Sequence, residues 1–238
     1  MAKHGKKYNE VAALLEDKLY TPEEALSFFK AHPTAKFDET MEVHMRLGVD
    51  PRHADQMVRG VVVLPRGTGK QTRILVFADG DAAQIAEEAG ADYVGLDDLV
   101  QKIQGGWLDF DMAIALPQVM SKVGRLGRVL GPRGLMPSPK AGTIVQPGEL
   151  KRVIDEARKG RVSYRVDRTG NLHIPFGKAS FEVDALLENL AAVMDSVVRA
   201  KPASAKGSYI RRAVMTPTMG PGAKLDIAAL VALRNAIS

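Results

Sequence analysis

The chain has 238 residues and carries 33 Lys and Arg against 28 Asp and Glu, a formal net charge of +5. An apolar content of 45% supplies a real core and excludes a disordered chain, and the absence of cysteine excludes disulfides and thiolate metal sites. No apolar stretch follows the basic start MAKHGKKYNE, and the apolar run 227–233 is too short to span a bilayer, so neither a secretory signal nor a membrane anchor is expected. Cysteine-free composition fits a cytoplasmic protein.

The first elements predicted along the chain are two short helices. Val11, Leu14 and Leu15 form one apolar stripe. The second helix starts at Thr21, with Pro22 in its first turn and Glu24 placed to close a capping box; Ala25, Leu26, Phe28 and Phe29 form its buried side. Strict alternation from Met41 to Val49 then predicts a half-buried strand, with Met41, Val43, Met45 and Leu47 inward and Glu42, His44 and Arg46 outward. Val58 to Leu64 reads as another strand.

Between about Gly67 and Gly160 the pattern changes. Arg73–Ala78 is a nearly continuous apolar strand, followed by a helix over 81–91, a strand over 92–95, a helix over 96–104, a strand over 111–115 and a closing helix over 148–159. Two-sided apolar strands alternating with helices imply a small parallel sheet. Alternation returns at Val162, Tyr164 and Val166; Arg168–Asn171 reads as a turn that pairs Leu172–Phe176 back as a hairpin. An amphipathic helix over 181–200, a strand over 209–215 and the loop TPTMGPG complete the chain. Because both ends share one style and the middle another, the expected fold is an α+β domain (antiparallel sheet with helices) built from both chain ends, with an inserted α/β Rossmann-like domain. The boundaries are 1–67 plus 160–238 for the first and 68–159 for the second.

Positive charge is segregated rather than spread. No acid lies between Asp111 and Glu149, where Ser121–Thr143 carries Lys122, Arg125, Arg128, Arg133 and Lys140 among glycines and prolines. That stretch reads as an open cationic loop suited to a polyanion, or as a merely solvated one. A second acid-free window, between Asp195 and Asp226, carries Arg199, Lys201, Lys206, Arg211, Arg212 and Lys224; a third cluster is Lys3, His4, Lys6 and Lys7. Segregated charge of this kind is the footprint of a nucleic-acid binder.

The motifs GRLGRVLGPRGLMPSPKAGT, FDETMEVHMRLGVDPRHADQMVRGVVVLPRGTGK, KGSYIRR and TPTMGPG resemble, in order and over essentially the whole chain, those of the large-subunit ribosomal protein L one family, bacterial type. The resemblance implies a structural protein without enzymatic activity or cofactor. It implies binding to the mobile stalk of large-subunit ribosomal RNA, assistance to exit-site tRNA release, and repression of translation of its own messenger RNA. It also implies a cytoplasmic location in the large ribosomal subunit and a monomer when free.

Carried onto this chain, the family's rRNA contacts fall on Lys36, Phe37, Thr40, Glu42, Arg165, Asp167, Arg168, Ser208, Thr218, Met219 and Gly220. Lys36, Arg165 and Arg168 suit phosphates, and Phe37 suits a sugar or base face, although it also reads as a core aromatic. Glu42 and Asp167 can accept from a 2′-hydroxyl or base amino group; alternatively they pair on the strand face with Arg165 or Arg168. Arg125, Arg128 and Arg133 are candidates for tRNA, for long-range steering, or for locking a domain interface.

The chief rival is a nucleotide-cofactor enzyme on the middle domain. Gly67-Thr68-Gly69-Lys70 resembles part of a phosphate loop, but Leu64 stands where its first glycine belongs and Gln71 replaces the required hydroxyl. Asp79 and Asp81 would repel a pyrophosphate at the first strand–helix turn. His4, His32, His44, His53 and His173 lack metal-ligand spacing. Aromatics are only 5% of residues, so recognition of folded RNA by shape is favoured over stacking on single strands.

Overall fold

The computed structural model describes residues 4–236; Lys3 of the N-terminal cluster lies outside them, as does the side chain of Lys140. In chain order they form helices α1 (Lys6–Leu14) and α2 (Pro22–Ala31), then strands β1 (Thr40–Leu47) and β2 (Arg59–Val63). Next come β3 (Ile74–Phe77), α3 (Asp81–Glu88), β4 (Tyr93–Gly95), α4 (Asp97–Gln104) and β5 (Met112–Ala115). Short helices α5 (Met120–Val123) and α6 (Gly127–Leu130) precede α7 (Leu150–Arg158). The chain closes with β6 (Arg161–Arg165), β7 (Asn171–Lys178), α8 (Val183–Arg199), β8 (Ile210–Pro217), β9 (Ala223–Lys224) and α9 (Ile227–Ala232). The result is a mixed α/β chain: an antiparallel sheet from N- and C-terminal strands, and a small parallel sheet with helices from the middle. Packing divides it into two units, Met1–Gly69 with Arg161–Ser238, and Lys70–Gly160.

In the first unit the sheet order is β7-β1-β8-β9, with β1 antiparallel to both neighbours. The inward side chains of β1 (Met41, Val43, Met45 and Leu47) are all buried, in one core with Leu26 and Phe29 of α2 and Leu190, Val193 and Met194 of α8. That core covers one sheet face and leaves Glu42, His44 and Arg46 on the other, as a period of two requires. Helix α2 begins at a complete capping box: the Glu24 N–H donates to Thr21 Oγ1 at 3.3 Å and the Thr21 N–H to Glu24 Oε2 at 3.0 Å. Leu14, read as part of an apolar stripe, is instead exposed; only Val11 of α1 is buried.

The hairpin expected between β6 and β7 does not form. After the 167–171 turn the strands part, β6 pairing antiparallel with β2 and β7 with β1. Each strand thereby buries its alternate residues against a different partner. The buried Asn189 of α8, 0% exposed, ties these pieces together: it accepts from the Arg66 N–H at 2.9 Å and donates to the carbonyls of Gly67 at 2.9 Å and Phe176 at 2.8 Å.

In the second unit β3 lies between β4 and β5, both parallel to it, and all four of its residues are buried. Helices α3, α4 and α7 lend Ala86, Leu99, Ile103, Val153 and Ile154 to its core. The segment read as a cationic loop is largely helical: residues 117–130 form consecutive helical turns with Gly124 and Gly127 in right-handed helical backbone. The reason lies in Val119, Val123, Leu126 and Leu130, all buried at helical spacing. Further on, Gly134 and Gly142 do take positive φ.

Removing the Asn189 tie leaves one donor and two acceptors unmatched inside the core. Asn189→Ala is expected to lower the unfolding free energy in urea by about 2–4 kcal/mol; a loss below about 1 kcal/mol would show that the three backbone groups find other partners.

Candidate nucleic-acid interface

The residues expected at an RNA surface fall into two groups near the two ends of β1, roughly 24 Å apart at about 3.4 Å per residue. At the start of β1 the organising group is a carboxylate that the sequence reading did not select. Glu39, 3% exposed, accepts from the Thr34 and Ala35 backbone N–H groups at 3.2 and 3.1 Å, and from Thr34 Oγ1 at 3.0 Å. Its Oε1, which shares the Thr34 hydroxyl with Oε2, accepts from the Met219 N–H at 2.9 Å. One buried carboxylate therefore holds the 34–39 loop and the 217–220 turn against each other. The signal was available: stepping the β1 alternation back from Met41 puts Glu39 on the buried face.

Thr218 adds a second tie, its Oγ1 accepting from the Thr40 N–H at 3.0 Å and donating to the Thr40 carbonyl at 3.3 Å. Thr216 Oγ1 donates to the Gly220 carbonyl at 3.1 Å. Gly220 is required by close approach, because a Cβ there would lie 2.5 Å from Pro217 Cγ. From these loops Phe37 and Met219, each 58% exposed, project outward, with Lys36 exposed beside them. Phe37 is thus a surface residue and not a core aromatic. Two large apolar side chains held in water by a rigid frame suit a partner that covers them.

Glu42, on the outer face of β1, pairs in register with Thr216 and Pro175. The ion pair considered for it with Arg165 or Arg168 is absent among the described residues; Glu42 Oε2 instead lies 3.7 Å from His44 Nε2. The Nδ1 atoms of His44 and of His173, its cross-strand partner on β7, are 2.7 Å apart, and His173 Nε2 lies 3.7 Å from Asp167 Oδ2. Burial, and then the neighbouring His173, hold His44 below the ordinary histidine range against the pull of Glu42.

At the far end of β1, Asp167 also makes no ion pair with Arg165 or Arg168 among the described residues. Its carboxylate accepts from the Asn171 and Thr169 N–H groups, both at 2.8 Å, and from Thr169 Oγ1 and Asn171 Nδ2. These bonds, the Asn171 N–H foremost, hold it well below the usual carboxylate range despite burial's opposing pull. Asp167 therefore shapes the turn, which Gly170 completes at φ +84°. Arg165 and Arg168 are exposed around it, and exposed Ser208 adjoins this end through Tyr209, whose carbonyl accepts from the Gly48 N–H at 2.7 Å.

In the other unit Arg125, Arg128 and Arg133 are exposed, on and just after the helical turns described above, and among the described residues they make no ion pair. Lys122 differs, since its Nζ is bound to Asp97 at 2.8 Å. Lys70 of the partial phosphate-loop motif is likewise engaged, 2.6 Å from Asp111. Hydrogen bonds from Lys70 and Arg73 outweigh burial and bring that carboxyl down to about 2. Among the described residues no group of three or more His, Cys, Asp or Glu could hold a metal ion, and no helix is long and apolar enough to cross a membrane.

Because His44 takes its proton at lower pH in the folded chain than in the unfolded one, the unfolded state binds more protons just below the ordinary histidine pKa of about 6.5. Stability to urea should therefore be full above about pH 7 and decline towards about pH 5, and His44→Asn should flatten that decline. Parallel pH profiles for the two proteins would contradict the assignment.

The model of the Ribosomal protein L1p/L10e family matches residues 29–221, a span that holds every residue of both groups. A large ribosomal subunit protein uL1 of Dehalococcoides mccartyi is 53% identical over 237 residues, covering 99% of this chain and 100% of that one. The protein of the same name from a second strain is 53% identical over 234 residues, covering 98% and 99%. With matches of this identity spanning the whole chain, it belongs to the Ribosomal protein L1p/L10e family.

Proposed function

We propose that the chain is a component of the large ribosomal subunit that clamps the mobile stalk of large-subunit ribosomal RNA through the unit built from both chain ends. Membership of a ribosomal protein family makes it a structural, RNA-binding protein and not an enzyme. The observation that carries the stalk-clamp reading is the pair of loops locked by Glu39, which presents Phe37, Met219 and Lys36 beside the open polar face of β1. Thr40, Glu42, Thr218 and Gly220 lie within or next to this frame. Arg165, Arg168 and Ser208 form the second patch, where Asp167 acts as scaffold for the turn. Phosphate contacts set position, while the rigid frame reads the shape of folded RNA.

The middle unit is proposed as a Rossmann-like α/β domain inserted into the first. Exposed Arg125, Arg128 and Arg133, without ion pairs among the described residues, support a contact with exit-site tRNA during its release. Repression of translation of its own messenger RNA would use the stalk-binding surface, by capturing a stalk-like structure in that message. These two roles, and a location in the cytoplasm within the large subunit, rest on the family resemblance.

The test is a salt titration of binding to a stalk fragment, with tRNA and an unrelated duplex as competitors. If about six phosphates are met, affinity should fall roughly a thousandfold between about 50 and about 200 mM salt, and the stalk should outcompete both controls. Met219→Asp should abolish stalk binding while leaving the urea midpoint unchanged, since that side chain is exposed. Equal binding of all three RNAs, or full binding by the variant, would overturn the reading.

A further inference from the structure

At the Asp167 end of the sheet the surface carries a pocket that the expected contact residues only partly account for. We propose that it receives one unstacked nucleotide of the bound RNA, its phosphate on arginines and its ribose or base on apolar side chains. This extends the RNA-binding reading above and rests on it. The pocket encloses about 730 Å³ and is lined by Arg52, Arg165 and Arg168 together with Pro51, Met57 and Val166. Sites for small ligands run to about 300–1,000 Å³, so the pocket has room for a single nucleotide.

Two observations give the pocket its chemistry. The first is a set of guanidinium groups that make no ion pair. Arg59 sits directly across from Arg165 in the β2–β6 register, and both are exposed. Like charges in directly opposed positions destabilise an antiparallel ladder, and such a pair calls for an anion between or beside the two groups. No internal acid supplies it: among the described residues none of Arg52, Arg59, Arg165 and Arg168 makes an ion pair. Asp167, which also lines the pocket, has its oxygens occupied by four donors of its own turn. Guanidinium forks left free in this way match the oxygen geometry of phosphate.

The second observation is the apolar wall. Val166 is buried, while Met57 and Pro51 are half-buried and reach the pocket surface. A phosphate alone gains nothing from such a wall, whereas a nucleoside turned out of its stack gains contact area there. Met57 is unbranched and polarizable, so it accommodates different bases without reading their edges. The occupant is therefore specified as a nucleotide with little base preference.

The test follows the Met57 methyl signal by NMR in the full chain, with the buried Met41, Met45, Met194 and Met215 as internal controls. The stalk fragment, and separately millimolar adenosine or uridine 5′-monophosphate, should shift Met57, whereas inorganic phosphate should move only arginine side-chain signals. Arg52→Ala, an exposed change that spares the fold, should weaken stalk binding roughly tenfold and reduce the salt slope by about one. Tight stalk binding with an unmoved Met57 methyl would overturn the proposal while leaving the clamp intact. So would Arg52→Ala binding like the parent. Failure of the parent chain to prefer the stalk over competitor RNA would instead remove the reading on which the proposal rests.

Discussion

The end of the antiparallel unit that presents Phe37 and Met219 depends on one buried carboxylate. Taking Glu39 out of water is costly unless its oxygens are fully hydrogen-bonded, and here two segments far apart in the chain supply the donors. The consequence runs outward. With Ala35 and Met219 both anchored to that carboxylate, the loops carrying Phe37 and Met219 are set before any partner arrives. Their apolar side chains can stay exposed because the backbone beneath them cannot collapse to bury them. A preformed surface spends less conformational entropy on binding than one assembled around its ligand.

The same logic separates the two kinds of charge on the antiparallel unit. Two of its carboxylates are engaged internally: Glu39 by loop amides and Asp167 by its own turn. Its arginines on the neighbouring turn and strands are left without such partners. Glu39 and Asp167 therefore shape the surface, while Arg165 and Arg168 make no ion pair among the described residues.

Much of the fold was legible because local rules and tertiary packing agree. Thr21-Pro22 with Glu24 announced the start of α2, and the alternation of Met41 to Leu47 announced both the strand and its open face. The errors arose where one local signal outweighed another. Glycines at 124 and 127 suggested a loop, although Val119, Val123, Leu126 and Leu130 repeat at helical spacing and carry the segment into the core. The turn at 168–171 suggested a hairpin, but which strand a turn delivers to which neighbour is decided by non-local pairing, here β2 and β1. Of the candidate site, the family motifs supplied the residues expected to touch RNA; the β1 alternation already placed Glu39 inward, but its two-loop role, like the setting of Arg52 and Arg59, became visible only through neighbours distant in sequence.

The central claim is that the double loop is built before RNA binds, and amide exchange at Ala35 and Met219 tests it most directly. In the free protein both amides should exchange slowly, close to the rates of the β1 core amides, and should change little when the stalk fragment is added. Fast exchange in the free protein that slows only with RNA would show that the partner assembles the surface, and would contradict the account.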